Sequence, residues 1–254
     1  MKNTLYGSSI CSDEINASTK PPKSLSNELQ ERFGDKAFSL GGLAGVPFVG
    51  RSGLKAFTNH VPDDGRLLIM FGPHVGISEE GIVGEIRREG QTRISEACGA
   101  TIGAFNAMSK QDNKKKSKRD RIIEFSDVEA QYIVQELSRR MDLPSVTGNP
   151  LTAVTYHMYA IIRDILIRAM ATVPAIADNC TEVAVLGGII INQYQGDDYF
   201  LPLSFQLGRK DYCTEKLKMR DVYEVVFGEK PGPQIQNVLG SKACACNIVS
   251  DVEI

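Results

Sequence analysis

The most informative part of the sequence is residues 66–100, RLLIMFGPHVGISEEGIVGEIRREGQTRISEACGA. It begins with an apolar run at residues 67–71 that has the length and composition of a buried β-strand. A Gly-Pro pair ends this run, and His74 follows at the start of a glycine-rich loop. Cys98 lies later in the stretch, among small residues close to a predicted helix start. An imidazole just past a strand end and a thiol near a helix start occupy the places where open α/β sheets bind ligands.

The composition is that of a globular protein with a large core. The chain has 254 residues, of which 42% are hydrophobic and 24% charged, and both fractions are ordinary for such proteins. A formal net charge of −2 argues against a general nucleic-acid binder. No apolar run approaches the 18 or so residues that a membrane span requires, so we expect no span.

The chain divides into three predicted parts. Residues 1–26 are rich in Ser, Asn, Thr and Lys and lack the apolar segment of a secretory signal, which predicts a flexible N-terminal arm. Residues 27–230 form a single α/β domain. Residues 231–254 form a C-terminal tail that contains a Cys-Ala-Cys sequence.

The strand pattern predicts a central, mainly parallel sheet. Residues 182–192, EVAVLGGIIIN, are apolar on both faces and rich in β-branched residues, as in a central parallel strand. The paired glycines inside this run indicate a bulge or a close backbone approach. Residues 82–86 are a weaker strand candidate. Residues 198–207 predict a strand at the sheet edge, because they contain Pro202.

Helices alternate with these strands. The small-residue segment 95–108 predicts one helix, and a capping box at Ser126 opens another that extends to about residue 141. Asn149 followed by a proline predicts the start of a long helix over residues 151–172, which is apolar enough to be central and buried. Short helical segments are predicted at 214–218 and 221–227. The fold class is therefore α/β, with helices flanking the sheet.

The cysteine distribution favours a metal or catalytic cluster in a reducing compartment over a disulfide framework. His74, Cys98 and Cys180 come from three separate predicted loops and would supply two thiolates and one imidazole, a set that suits Zn²⁺. A catalytic zinc site keeps a fourth position open for water. The spacing of these residues is not a local metal-binding motif, so it is weak evidence by itself.

Structural roles remain open for each candidate. A single histidine after a strand is often a hydrogen-bonded polar residue, and either cysteine can pack as a small hydrophobic side chain. His60 is a rival ligand at the opposite end of the first strand, and His157 falls within the long helix, where core packing is favoured. The glycine-rich loop 40–53 leaves nucleotide binding as another hypothesis, although its spacing matches neither common phosphate-binding motif.

Five short segments carry a family resemblance. They are VPFVGRSG at 46–53, HVPD at 60–63, FGPHVG at 71–76, ACGA at 97–100 and GGIIIN at 187–192. In this order, they resemble the limiting-CO2-inducible B/C protein family of algae, which is grouped with the theta-class carbonic anhydrases. The resemblance spans about residues 27–210.

The resemblance implies a fold like that of β-class carbonic anhydrases, a zinc ion bound by two cysteines and one histidine, and a nearby Asp/Arg pair. We carry the zinc ligands onto His74, Cys98 and Cys180. The β-class pattern alternates Cys, Asp and Arg, and no such CxDxR sequence occurs here. Asp63 and Arg88 are the best matches for the catalytic pair, with Arg51 in reserve.

The resemblance also implies the function. The protein would interconvert CO2 and bicarbonate through a zinc-bound hydroxide, with Arg88 holding Asp63 and with Phe71 and Val75 shaping a CO2 pocket. It would act as a homodimer, or in a hetero-oligomer with family members, in the stroma or pyrenoid region of an algal chloroplast that concentrates CO2. The alternative is a non-catalytic or conditionally active scaffold of the same fold that responds to CO2 or bicarbonate. The additional cysteines leave room for redox control.

Overall fold

The computed structural model describes residues 3–17, 24–33, 37–111, 127–141, 148–171, 180–194, 196–210, 217–232 and 252–253. Several predictions fall outside these residues: the Ser126 capping box and any role of Cys213, Cys244 or Cys246. Within the described part of the chain, no helix is long and apolar enough to cross a membrane.

The described residues form strands and helices in alternation. The strands are β1 (Thr4–Ser9), β2 (Ala37–Ser39), β3 (Gly65–Phe71), β4 (His74–Ile77), β5 (Glu85–Ile86), β6 (Ser95–Glu96), β7 (Cys180–Gln193), β8 (Tyr199–Lys210), β9 (Leu217–Asp221) and β10 (Val252–Glu253). The α-helices are α1 (Leu25–Phe33), α2 (Gly50–Thr58), α3 (Gly99–Gln111), α4 (Val128–Arg140), α5 (Pro150–Ala171) and α6 (Tyr223–Phe227).

A single large sheet organises the molecule, in the order β10-β9-β8-β7-β3-β1-β2. Strand β4 continues the line of β3 and also pairs with β7. Strands β2, β1, β3, β4 and β7 are parallel, whereas β8, β9 and β10 add antiparallel pairs on one side. This confirms the predicted α/β fold with a central, mainly parallel sheet and flanking helices.

Each face of the sheet is covered by helices. In β3, Leu67, Ile69 and Phe71 face the larger core, which α2, α3, α4 and α5 complete. Leu68 and Met70 alternate with them and face the opposite side, where α1 packs. Helix α5 is buried along most of its length, as its apolar sequence predicts. Asn149 accepts hydrogen bonds from the backbone N–H groups of its first turn, which confirms that start.

The break between β3 and β4 depends on glycines. Gly72 has φ of +155°, and a Cβ at this position would overlap the backbone carbonyl of Gly188. Opposite the break, the β7–β8 register shifts between Gly187 and Gly188, and Gly187 leaves space for the Phe71 ring. The predicted close backbone approach at the paired glycines is therefore confirmed. The break sends His74 onward along β7, where it pairs with Ile190.

The expectation of a flexible arm over residues 1–26 is wrong for residues 3–17. Strand β1 lies between β2 and β3 within the sheet, and helix α1 already begins at Leu25. The polar sequence of this segment does not indicate a buried strand. Ser8 and Ser9 can nevertheless be buried because they are small and because β1 pairs with the strands on both sides, which satisfies its backbone hydrogen-bonding groups.

The predicted edge position of the Pro202 strand is also wrong. Strand β8 lies between β7 and β9. Proline is tolerated there because β9 pairs with Gln206–Lys210, so that, within the described part of the chain, Pro202 has a neighbouring strand on the β7 side alone.

Smaller differences concern the segments around the glycine-rich loop and after β8. The predicted strand at 82–86 is reduced to the two residues of β5, which pair with β6 outside the main sheet. The predicted helix at 95–108 begins only at Gly99, because β6 occupies its first residues. The helix predicted over 214–218 is wrong at its described end, because Lys218 lies in β9. The helix predicted over 221–227 is present as α6.

Candidate metal centre

Three side chains from separate segments meet at the carboxyl end of the parallel strands. Cys11 follows β1, His74 opens β4, and Cys98 directly precedes α3. Their sulfur and nitrogen ligand atoms all lie within 4.8 Å of one another, and all three residues are at least 95% buried. The two thiol sulfurs are 3.6 Å apart. Among the described residues, this is the group whose geometry suits a metal ion.

The structure does not bring Cys180 to this centre, which corrects its assignment as the third zinc ligand. Cys180 opens β7 opposite Gly65, whereas His74 lies beside Ile190 near the other end of the same strand. The separation is about ten residues, or roughly 33 Å at the rise of an extended strand. Cys11 takes the place expected for Cys180.

Asp63 is also far from the centre. It is exposed in the turn that precedes β3, whereas His74 follows the end of β3. Its assignment as the catalytic aspartate is therefore wrong on geometric grounds. Arg51 is exposed on α2, and His60 is exposed just after the same helix, where its ring contacts Phe38 edge-on. Neither belongs to the cluster.

The residues of the cluster fit a zinc ion. A tetrahedral site with Zn–S bonds of about 2.3 Å separates two thiolate sulfurs by about 3.8 Å, close to the 3.6 Å between Cys11 and Cys98. His74 Nε2 is buried and has no hydrogen-bond partner among the described residues. A buried nitrogen without a partner is costly in a protein interior, and a bound cation would remove that cost.

Local structure prepares Cys98 to be a thiolate. Its side chain lies at the N-terminus of α3 and accepts a hydrogen bond from the backbone N–H of Thr101. The hydrogen bond from the Cys11 thiol is the largest influence that lowers the pKa of Cys98; burial opposes it, and the nearby His74 ring adds to the lowering. The pKa of Cys98 is therefore well below its usual value, which favours the form that binds metal.

In the contact between Cys11 and Cys98, Cys11 is the protonated thiol. Its hydrogen bond to Cys98, followed by burial, raises the pKa of Cys11 far above its ordinary value in the absence of a metal. The backbone N–H groups of Asp13 and Ala44 point at its sulfur and act in the opposite direction. Ala44 has the left-handed φ of +54°, within a tight turn whose Leu43 N–H is held by Glu129 Oε2 at 2.9 Å.

His74 is held by a hydrogen bond on its far side. Its Nδ1 lies 2.7 Å from Oδ1 of Asn192 on the neighbouring strand. Burial alone lowers the pKa of His74, but the adjacent Cys98 sulfur, the Asn192 oxygen and the Asp13 carboxylate outweigh burial and raise it. The ring is therefore fixed in orientation, with Nε2 directed towards the two sulfurs.

An ionised aspartate and an arginine flank the cluster. Asp13 Oδ2 lies 3.8 Å from His74 Nε2 and accepts a 2.7 Å hydrogen bond from Arg88 Nη2. Burial raises the pKa of Asp13, but the contacts with Glu14 and Arg88 outweigh it and hold the pKa below its usual range. Arg88 also bonds Glu14, Ser95 Oγ and the Glu96 carbonyl, which uses each of its nitrogens. The structure thus brings the predicted Arg88 to the site, with Asp13 in place of Asp63.

Sequence reasoning missed Cys11 and Asp13 for an identifiable reason. Residues 11–13 read Cys-Ser-Asp, the first part of the Cys-x-Asp-x-Arg pattern, with Ile15 where the arginine would stand. Arg88 supplies the guanidinium from a distant segment instead. The truncated motif, directly after a possible short strand, was the available signal. The polar character of residues 1–26 concealed it.

Comparisons with known proteins find solved structures with a similar fold. PtLCIB4, a homologue of the limiting CO2-inducible protein LCIB, has a crystal structure that superposes with a TM-score of 0.69 at 27% identity, covering 82% of this chain and 81% of that chain. A single-residue variant of PtLCIB4 gives a TM-score of 0.70 at 28% identity, covering 82% of this chain and 80% of that chain. No curated protein matches the sequence.

The limiting CO2-inducible protein LCIB itself shares the fold, with a TM-score of 0.58 at 20% identity, covering 81% of this chain and 80% of that chain. The sequence profile of the limiting CO2-inducible proteins B/C beta carbonic anhydrases matches residues 1–209. That span includes β1 and all three residues of the cluster. The chain therefore belongs to the family of limiting CO2-inducible proteins B/C beta carbonic anhydrases.

Proposed function

We propose that this protein is a zinc-dependent carbonic anhydrase that interconverts CO2 and bicarbonate, with Cys11, His74 and Cys98 as the zinc ligands. The observation that carries the proposal is the cluster itself: a ring nitrogen of His74 lies within 4.8 Å of two sulfurs, and the buried His74 Nε2 has no hydrogen-bond partner among the described residues. Two sulfurs and one imidazole are a known catalytic zinc set. Membership of a beta carbonic anhydrase family supports the reaction type.

Bound zinc would supply a water whose pKa falls to about 7, so that it deprotonates at neutral pH. The protein residues would orient this water and exclude others. Asp13 Oδ2, close to His74 Nε2, would accept a hydrogen bond from the water at the open position. Arg88 would keep the Asp13 carboxylate ionised and fix its orientation, because Arg88 Nη2 donates a hydrogen bond to the same Oδ2 atom. Phe71 and Val75 are both buried and support an apolar CO2 pocket.

The decisive experiment is stopped-flow CO2 hydration on purified protein with its zinc content assayed. We expect about one zinc per chain and measurable hydration. Cys11→Ser should lose both zinc and activity, whereas Cys180→Ser, which changes a buried cysteine at the far end of β7, should keep both. Zinc loss in Cys180→Ser together with zinc retention in Cys11→Ser would contradict the proposed ligand set.

A second candidate function is a non-catalytic or conditionally active scaffold that responds to CO2 or bicarbonate. The specific observation in its favour is the short distance from Asp13 Oδ2 to His74 Nε2, because a small rotation would bring the carboxylate onto a bound metal. The open position would then be lost. Stoichiometric zinc without CO2 hydration, under both reducing and oxidising conditions, would favour the scaffold.

The cellular setting is part of the same proposal. We expect a homodimer, or a complex with related chains, in the chloroplast of an alga with a CO2-concentrating mechanism. The family membership supports this setting. Light scattering on the purified protein would test the dimer, and imaging of a tagged full-length precursor would test the compartment.

A further inference from the structure

A chain of polar side chains leads away from the cluster behind His74. Asn192, near the end of β7, is fully buried and pairs in register with Gly76 of β4. Its side chain contacts His74 on one side and Asp198, in the turn before β8, on the other. Asn16 completes its surroundings, with Oδ1 3.4 Å from Asn192 Nδ2.

The partners of Asn192 fix the orientation of its amide. Asp198 Oδ1 lies 2.8 Å from Asn192 Nδ2, and an ionised carboxylate can only accept hydrogen bonds. Asn16 Oδ1 is a second acceptor on the same nitrogen. The NH2 group must therefore face Asp198 and Asn16. The carbonyl oxygen Oδ1 must face the histidine.

The orientation of Asn192 in turn fixes the tautomer of His74. Because Asn192 Oδ1 is an acceptor, the His74 Nδ1 that lies 2.7 Å away must carry the hydrogen. In the neutral imidazole, Nε2 is then the unprotonated nitrogen. This is the nitrogen that is buried beside the sulfurs without a hydrogen-bond partner in the described structure.

We infer that Asn192 and Asp198 are positioning residues, which form a relay that sets the tautomer of His74 and strengthens it as a metal ligand. Asp198 acts through Asn192: its charge holds the amide in one orientation and polarises it, which makes Oδ1 a stronger acceptor for the Nδ1–H. Hydrogen bonds of this kind raise ligand basicity, and their loss typically costs about 10- to 100-fold in metal affinity. This inference rests on the proposed metal centre.

Asp198 also has a structural contact that the test must separate from the relay. Its second oxygen, Oδ2, accepts a 3.2 Å hydrogen bond from the backbone N–H of Leu25 at the start of α1. A purely structural role would therefore alter the docking of α1 and the thermal stability of the protein. It would not alter the protonation of the His74 ring.

The experiment measures zinc affinity by chelator competition, the Co²⁺ absorption spectrum, and the His74 tautomer by ¹⁵N-histidine NMR of the metal-free protein at alkaline pH. The chain has three histidines, which simplifies the assignment. The variants are Asp198→Asn and Asn192→Leu. The matched control is Asp197→Asn, which removes the neighbouring, exposed carboxylate.

We expect the parent and the control to show hydrogen on Nδ1 and to have equal zinc affinity. Asp198→Asn should weaken zinc binding about 10-fold and populate the second tautomer, and Asn192→Leu should weaken binding by up to about 100-fold. Hydrogen on Nε2 in the parent would overturn the relay, as would an Asp198→Asn protein identical to the control. A parent that binds no metal would instead overturn the proposed centre and the inference with it. If Asn192→Leu does not fold, Asp198→Asn decides the question.

Discussion

Arg88 Nη2 donates a 2.7 Å hydrogen bond to Asp13 Oδ2 across 75 residues of sequence. The same guanidinium bonds both Ser95 Oγ and the Glu96 carbonyl in β6. It therefore ties the segment that follows Cys11 to the segment that precedes Cys98. The side chain that joins these two segments is only 16% exposed.

Replacing Arg88 with lysine should lower CO2 hydration by about 100-fold, because one ammonium cannot reproduce the forked contacts and Asp13 would be misplaced. Zinc content should stay close to one per chain, since Arg88 touches none of the three proposed ligands. Stopped-flow rates and metal analysis on the same sample check this prediction. The matched control is Arg87→Lys at the adjacent exposed arginine, which should keep the parent rate. Equal rates in both variants would show that the Asp13–Arg88 pair has no part in the reaction.

Removing the metal should destabilise the protein. A cation that binds only the folded cluster stabilises the folded state, and a ligand at 1,000 times its dissociation constant contributes about 4 kcal/mol. We expect a strong chelator to lower the melting temperature and added zinc to restore it. Cys11→Ser should melt at a temperature that zinc no longer changes. A parent protein whose melting temperature ignores both chelator and zinc would contradict the site.

The centre of the main sheet could be predicted from sequence because β3 and β7 are apolar on both faces. The run that forms β3 is apolar and ends at a Gly-Pro pair, and the run that forms β7 is long and rich in β-branched residues, so both strands adjacent to His74 are predicted correctly. The start of helix α5 can also be predicted, because the N-cap residue Asn149 stands directly before a long apolar run.

The candidate site could be predicted only in part. His74 and Cys98 stand out because each lies beside a recognisable element end. Cys11 does not, because β1 is a polar strand whose burial depends on neighbours that are distant in sequence. Cys180 and Asp63 both lie next to predicted strands, which made them plausible site residues. The sequence does not give the pairing register of those strands, so it could not show that both residues lie at the end of the sheet away from His74.

Gly72→Ala should destabilise the fold by about 3 kcal/mol or more, since a methyl group there would overlap the Gly188 carbonyl between two paired strands. The free energy of unfolding in urea measures this effect. Gly90→Ala is the matched control: Gly90 also has a positive φ, of +77°, but an added Cβ there has open space. The control should lose only about 1–2 kcal/mol, the cost of the backbone conformation. Similar losses at both positions would mean that the glycine contact does not set the β3–β4 break.

The strongest stability prediction concerns an ion pair that joins α4 to α5. Arg140 Nη1 lies 2.6 Å from Asp164 Oδ2, and Arg163 binds the other oxygen of the same carboxylate at 3.0 Å. The side chains of Arg140 and Asp164 are 8% and 5% exposed. Removing the carboxylate leaves two cations close together in a poorly hydrated environment, so Asp164→Ala should cost about 3–5 kcal/mol. Denaturant unfolding measures this cost.

The exposed pair between Arg209 and Glu182 provides the comparison. It has a similar distance of 2.7 Å, but the Arg209 side chain is 65% exposed. Water replaces the lost partner at such a site, so Arg209→Ala should change stability by less than about 1 kcal/mol. The contrast between the two variants tests burial as the cause, because the geometry of the two contacts is alike. An Asp164→Ala protein as stable as Arg209→Ala would mean that water reaches Arg140 and Arg163 despite their burial.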